Sequence, residues 1–310
     1  MTDSERFFSR SFQSDDDFWK VRQFLIETYP ITPPDLNWEI RRWEGARFHN
    51  EDAALDPGWA AQIHLWETEA GKLVGVVNPD GSGEAHLQVH PDYRHRIEDE
   101  MIAWAEAHLA VPTGDGQRRL HVCVMEYDAH RRRLLEARGY QKTAWGGMSR
   151  RLRLGSQPLP EPALAEGYVL RALRPGDEDD CRRIADVLNA AFNRDFHTAK
   201  EFHTFATSAP SFRYDLHLVA ETPDGRFAAH VGITYDETNR RGIFEPVCTH
   251  PAHRRKGLAQ ALMFEGLRRL KALGALYVYV GTGDAAAANA LYEAAGFTEA
   301  YREFIWQKIF

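Results

Sequence analysis

Two periods of apolar and polar residues run along the chain, one helical and one extended. Helical spacing covers residues 15–29, starting in three aspartates, and returns over residues 181–192 behind Asp177-Glu178-Asp179-Asp180. Acidic first turns suit the positive end of a helix dipole. Residues 63–77 and 216–235 each read as strand, polar turn with glycine, strand. Residues 242–249 (GIFEPVCT) read as a further strand. Pro246 has no N–H for a ladder, so this strand is expected at a sheet edge or bulged, with part of its backbone open to another partner. Alternation along it puts Ile243, Glu245, Val247 and Thr249 on one side. A helix then carries Leu258, Leu262, Leu267, Leu270 and Leu273 and stops near Gly274. A strand at 276–280 and a helix bearing Asn289 and Tyr292 close the pattern before Gly296-Phe297.

The series occurs twice. HLQVHPDYRHR at 86–96 parallels EPVCTHPAHRR at 245–255, with His90-Pro91 matching His250-Pro251 and Arg94 matching Arg254. LEARGY at 135–140 parallels YEAAGF at 292–297 at nearly the same offset. So long a period means two copies of one domain rather than a solenoid. SQPLPEPALAEG at 156–167, with three prolines and little periodicity, separates the copies. The expected division is a first domain at 1–153, a linker at 154–166 and a second domain at 167–310.

Composition narrows the class. The 310 residues are 44% hydrophobic and 27% charged, ordinary for a globular chain. The net charge of -7 argues against broad binding to nucleic acid or an anionic membrane. No apolar run reaches the roughly 18 residues of a membrane span, and the N-terminal segment lacks a signal-peptide core. The three cysteines form no close pair, and a cytoplasmic location is expected. The 14 histidines include no H-E-x-x-H and no accompanying ligand set, so no metal is expected. There is no G-x-S-x-G elbow. The clusters Arg131–Arg133 and Arg150, Arg151 and Arg153 read as solvated faces. Residues 281–286 formally satisfy G-x-G-x-x-A, but too few residues follow for a dinucleotide fold.

Candidate chemistry collects in the second copy. Arg254-Arg255-Lys256-Gly257-Leu258-Ala259 opens a helix, where unpaired N–H groups, the dipole, small residues and three cations suit a pyrophosphate. This loop, the preceding VCTHP, the R-x-x-G-x-A pattern through Arg254, Gly257 and Ala259, and LYEAAGF at 291–297 resemble the GNAT acyltransferase superfamily. The resemblance covers 167–310 and, more weakly, 1–153. It implies an α/β (α+β) chain of two tandem GNAT-like domains, each a mixed, mostly antiparallel central sheet flanked by helices, with acyl-CoA between two splayed strands. It further implies that the Val247-Cys248-Thr249 backbone pairs with the pantetheine arm, that the Arg254–Ala259 loop wraps the pyrophosphate, and that Asn289 helps to hold the cofactor. Asp284 stands where the family commonly has asparagine. Tyr292 matches the tyrosine that commonly protonates the departing thiolate, and Glu245 lies on the strand from which several members project a general base.

The first copy departs from this pattern, with Ile97 in place of the glycine, Asp99 in place of the small residue and Leu135 in place of Tyr292. A branched side chain and carboxylates oppose phosphate there, so a degenerate, supporting copy is expected. Transfer to an amine needs its neutral form. A lysine-like ammonium of pKa near 10.4 is only about one part in 2,500 neutral at pH 7, a cost of roughly 4.6 kcal/mol. Glu245, with its pKa raised by burial, is the candidate base. The expected activity is N-acetyl transfer from acetyl-CoA to a primary amine of a small molecule or peptide, in a monomer with an internal pseudo-dimer or in a homodimer. The alternative is a non-catalytic acyl-CoA-binding sensor.

Overall fold

The computed structural model describes residues 6–283 and 285–310. Asp284 lies outside the described residues. The chain divides into two compact units that interleave in sequence: Met1–Ile40, Leu55–Ser149 and Tyr301–Phe310 form the first, Arg41–Ala54 and Arg150–Ala300 the second.

The first half of the chain supplies, in order, β1 (Phe7–Ser11), α1 (Asp15–Thr28), α2 (Ile40–Phe48), α3 (Pro57–Ala60), β2 (His64–Thr68), β3 (Leu73–Pro79), β4 (Glu84–Val89), α4 (Arg94–His108), β5 (Val111–Pro112), β6 (Arg118–Met125), α5 (Ala129–Ala137) and β7 (Gln141–Arg153). In the first unit β1, β2, β3 and β4 form an antiparallel run. β4 then pairs in parallel with β6, through Glu84↔His121 and Ala85↔Val122. Trp66, Val89, Ile97, Met101, Val122 and Leu135 are at the centre of its core.

The second half supplies β8 (Val169–Ala172), α6 (Glu178–Phe192), α7 (Ala199–Ser208), β9 (Leu218–Glu221), β10 (Phe227–Asp236), β11 (Arg241–Thr249), α8 (Leu258–Ala272), β12 (Tyr277–Gly283), α9 (Ala286–Ala294) and β13 (Glu299–Ile309). In the second unit β8, β9, β10 and β11 are antiparallel neighbours, and β11 pairs in parallel with β12. Phe244, Leu262, Leu267, Val280, Tyr292 and Phe297 fill its core. Each such large apolar side chain contributes about 1.5–3 kcal/mol on burial. α6 starts as its composition predicts, with Asp177 as N-cap accepting from the Asp180 N–H at 3.0 Å.

The last strand of the chain completes the first unit: Glu303–Ile309 of β13 pairs with Met125–Arg119 of β6. The end of β7 belongs to the second unit, where the next residue, Leu154, donates its N–H to the Leu276 carbonyl at 2.8 Å.

A partly buried ion triad repeats across the duplication. Arg10 holds both Asp17 oxygens, at 2.8 and 2.6 Å, and reaches Glu67. Arg171 holds both Asp180 oxygens at 2.7 Å and reaches Glu221. The triad ties β1 to α1 and β2 in the first half and β8 to α6 and β9 in the second, a bidentate geometry that favours arginine.

Two arginines expected on solvated faces are buried. Arg131 pairs with Glu98 at 2.6 Å and reaches the Leu87 carbonyl, and Arg150 donates to the Phe297 carbonyl at 3.1 Å. Local charge density conceals such partners because they lie far away in sequence. No helix among the described residues is long and apolar enough to cross a membrane.

Candidate functional site

The site in the second unit starts from Pro246. Opposite it the β10–β11 register slips: Val231 faces Val247 and Ile233 faces Phe244, so the single residue Gly232 opposes Glu245 and Pro246 together. This is the expected bulge, on a strand flanked on both sides. A Cβ on Gly232 would meet the Glu245 carbonyl oxygen at 2.7 Å, so the bulge fits only beside glycine.

The inserted residue also corrects the predicted alternation. Phe244 and Val247 share the core face with Ile233 and Val231, whereas Ile243 and Cys248 oppose Thr234 and His230 on the other face. Ile243 and Val247 therefore do not share a side, because one extra residue reverses the phase of a strand.

Beyond the bulge the sheet opens. The parallel β11–β12 ladder runs from Arg241↔Tyr277 to Phe244↔Val280 and ends there among the described residues. The His250 N–H bonds to the Ala228 carbonyl at 2.8 Å, so alternation turns the N–H and C=O groups of Val247 and Thr249 away from β10, toward the gap. Cys248, between them, is buried and its backbone faces β10.

Below the gap, the 251–257 segment leads into α8. Gly257 is its N-cap in the left-handed region (φ 72°), with no side-chain cap, and Arg255 is also left-handed (φ 65°). Gly257 adopts this conformation without steric cost. The N–H groups of the first turn of α8 thus end in open, basic surroundings, with Arg254, Arg255, Lys256 and Gly257 all exposed. Arg254 is anchored on the Ala191 carbonyl at 3.0 Å, and Lys256 bonds to the Tyr168 hydroxyl at 2.8 Å. Leu258 is buried in the core and fixes the helix, while Ala259 is half-buried. The donor set suits a pyrophosphate.

Tyr292, on α9, is 5% exposed, and burial, with the charge of Glu245 and the thiol of Cys248 nearby, pushes its phenol up to about 12. It is therefore protonated at neutral pH and able to donate. Glu245 is exposed, so the fold alone does not supply the burial expected to tune it. Asn289 is committed to structure: it accepts from Arg150 at 3.1 Å and donates to the Gly283 and Ala285 carbonyls at 3.3 Å, tying β7 to the start of α9. Gly281-Thr282-Gly283 continues β12 rather than forming a phosphate loop. Among the described residues no group of three or more His, Cys, Asp or Glu side chains is arranged to hold a metal ion.

Residues 182–297, which contain the bulge, the gap, the basic loop and Tyr292, match the acetyltransferase (GNAT) family. Residues 182–297 thus read as a GNAT domain. Over its whole length the chain also has the fold of tandem GNAT proteins. A tandem GNAT protein from the clavulanic acid biosynthesis pathway superposes with a TM-score of 0.66 at 18% identity, covering 98% of this chain and 98% of that one. A GCN5-related N-acetyltransferase from Sphaerobacter thermophilus gives 0.65 at 20% identity, covering 98% and 95%. N-myristoyltransferase from Saccharomyces cerevisiae gives 0.56 at 13%, covering 99% and 80%. No curated protein matches by sequence.

The GNAT architecture makes the other half informative. There α4 begins directly at Arg94, so the residues that correspond to the basic loop are wound into helix. Ile97 is fully buried, and Arg94 is spent on Asp128 at 2.5 Å. The gap beside β4 is filled by the chain itself. Asn37 donates to the Val89 carbonyl at 3.1 Å and accepts from the Val89 N–H at 2.8 Å. Val89 is the counterpart of Thr249. The Tyr127 hydroxyl, just after β6, donates to the Pro34 carbonyl at 2.5 Å. A side-chain amide thus closes the strand edge that the second half leaves open. Asn37 was not found by sequence reasoning, since its partner lies 52 residues away and follows no local pattern.

Proposed function

We propose that the chain is an N-acyltransferase that transfers an acetyl group directly from acetyl-CoA to a primary amine of a small molecule or peptide, at one site, in its second half. The observation that carries this reading is the opening of β11 from β12 beyond the Glu245-Pro246 bulge, directly above an unencumbered basic helix start. The backbone of Val247 and Thr249 binds the pantetheine arm, and Cys248 keeps that segment on β10. Arg254, Arg255, Lys256, Gly257, Leu258 and Ala259 form the pyrophosphate cradle. Asn289 positions α9 beside it.

In the reaction a C–N bond forms as the thioester C–S bond breaks. Glu245, directly or through a water, takes the proton from the amine. A backbone N–H near Val247 polarises the thioester carbonyl, and Tyr292 donates a hydrogen bond to the departing sulfur. A thiolate of pKa near 8.5 then needs little further help. We assign the first half, residues 1–153, a supporting role, with its own cleft closed by Asn37, and we place the protein in the cytoplasm as a monomer with an internal pseudo-dimer or as a homodimer.

The test is release of free CoA thiol from acetyl-CoA across amino acids, peptides, aminoglycosides and simple amines. Turnover with at least one amine is expected. CoA binding without product across the panel would instead leave a non-catalytic acyl-CoA-binding module.

A further inference from the structure

We propose that Arg41 is the anion-recognition residue of the acceptor site, so that the acceptor is a small primary amine that also carries a carboxylate. The proposal rests on the acyl-transfer reading and adds the chemical class of the acceptor.

Arg41 is on α2 and belongs to the second unit. Its residue is 7% exposed. The guanidinium carbon lies 4.6 Å from the centroid of Phe205, and Nη1 sits where a Cβ on Gly45 would come within 2.3 Å, so glycine there makes room for it. Its one hydrogen bond among the described residues runs from Nη2 to Nε2 of His49, at 3.0 Å. Nε is buried with no acceptor, and no carboxylate pairs with the guanidinium among the described residues. A buried cation without an anion in contact is costly, and a planar fork of donors is suited to a carboxylate.

The neighbouring carboxylates are engaged elsewhere. Glu201 accepts from Nδ1 of His49 at 2.5 Å and from Nδ1 of His197 at 3.1 Å. Glu44, one turn along α2, accepts from the N–H and hydroxyl of Ser211 at 3.1 and 2.8 Å. His49, stacked on Phe205 at 4.0 Å, separates Arg41 from Glu201. With Nε2 accepting from the guanidinium and Nδ1 donating to the carboxylate, it is a neutral spacer that orients Arg41 without cancelling its charge.

A chain of contacts leads from this cation to the bulge. Phe205, under the guanidinium, meets Phe212 edge-on at 5.5 Å, and Phe212 stacks on His217 at 4.1 Å; His217 in turn stacks on His230 with centroids 5.5 Å apart and shares a hydrogen bond of 3.3 Å with it. His230 faces Cys248 across β10 and β11. Cε1 of His217 lies 3.1 Å from the Cβ position of Gly232, the same point that is 2.7 Å from the Glu245 carbonyl. Phe202 and Phe212 pack on the two imidazoles and keep the surroundings apolar. An acceptor whose carboxylate meets Arg41 therefore extends its amine toward Glu245, and the apolar surroundings strengthen the ion pair.

The test compares matched ligands on the full-length protein. N-acetyl amino acids and their C-terminal amides are titrated calorimetrically with and without saturating CoA, and the parent amino acids and amides are compared as acceptors by thiol release. At least one acid is expected to bind and react about 100-fold better than its amide, as for a buried charge left unpaired. Arg41→Met should abolish that preference while leaving CoA affinity unchanged, and Arg41→Lys should restore part of it. The wild-type comparison stands even if the Met variant does not fold. Acids that bind no better than amides under either condition, or a folded Arg41→Met protein that keeps the preference, would overturn the proposal. Failure of CoA itself to bind, read in its own titration, would instead sink the acyl-transfer reading.

Discussion

At the scale of the residue, Pro246 and Tyr292 carry most of what the sequence can say. A proline that cannot donate announces either a sheet edge or a bulge, and at Pro246 it is a bulge. What it does to its neighbours is less visible, because the phase reversal that separates Ile243 from Val247 depends on whether one or two residues are inserted. For Tyr292, burial that raises the phenol makes it a donor at every physiological pH. Tyr292→Phe is expected to slow thiol release about 100-fold while CoA affinity stays within twofold. Unchanged turnover would remove the phenol from the chemistry.

The buried imidazoles give a second prediction at this scale. Burial, helped by Arg41, lowers His230 to about 3 and holds His217 well below its usual value. The unfolded chain takes up these protons near pH 6.5 and the folded chain does not. Stability is therefore full above pH 6.5 and falls as the pH drops toward 3. Glu201 adds to the loss between about 4.5 and 2: burial opposes its ionisation, but hydrogen bonds from His197 and His49 outweigh this and bring it to about 2. Urea unfolding at a series of pH values should show this slope, and His230→Asn should flatten it between pH 6.5 and 3. An equally steep slope in that variant would contradict the account.

At the scale of the element, helices and strands follow the periodicity closely, since each half-buried element displays its buried face in its own spacing. α6 with its Asp177 cap and α8 beginning beyond Gly257 are examples. The G-x-G-x-x-A match misleads for the same local reason: three residues of it simply extend β12. The element that positions the chemistry is the β10–β11 bulge, and its weak point is Gly232. Gly232→Ala forces a methyl group against the Glu245 carbonyl and Pro246, and is expected to cost about 1–3 kcal/mol. On the acyl-transfer proposal it should also lower thiol release more than CoA binding, because the bulge lies at the proposed acyl end of the cleft. A Gly232→Ala protein with wild-type unfolding midpoint and turnover would mean that the bulge tolerates a side chain.

At the scale of the whole molecule, the duplication was readable from His90-Pro91 and His250-Pro251, while the interleaving was not. The pairing of Glu303–Ile309 with Met125–Arg119, the Arg10–Glu67 and Arg171–Glu221 arms of the triads and the Asn37 clip all join residues far apart in sequence, where no spacing rule operates. The Asn37 clip accounts for the difference between the two gaps. One gap is closed by an internal amide, whereas the β11–β12 ladder beside the other ends at Phe244↔Val280 with no such clip among the described residues. Asn37→Ala should therefore cost about 1–3 kcal/mol of stability, through two unpaired backbone groups, and should create no new CoA site.

The most direct test of this asymmetry is calorimetric titration of the full-length protein with acetyl-CoA. One equivalent per chain is expected, unchanged in Asn37→Ala and weakened at least about tenfold by Arg255→Glu, which sets a carboxylate in the proposed pyrophosphate cradle. Two equivalent sites per chain, or binding indifferent to the Arg255 substitution, would contradict the account.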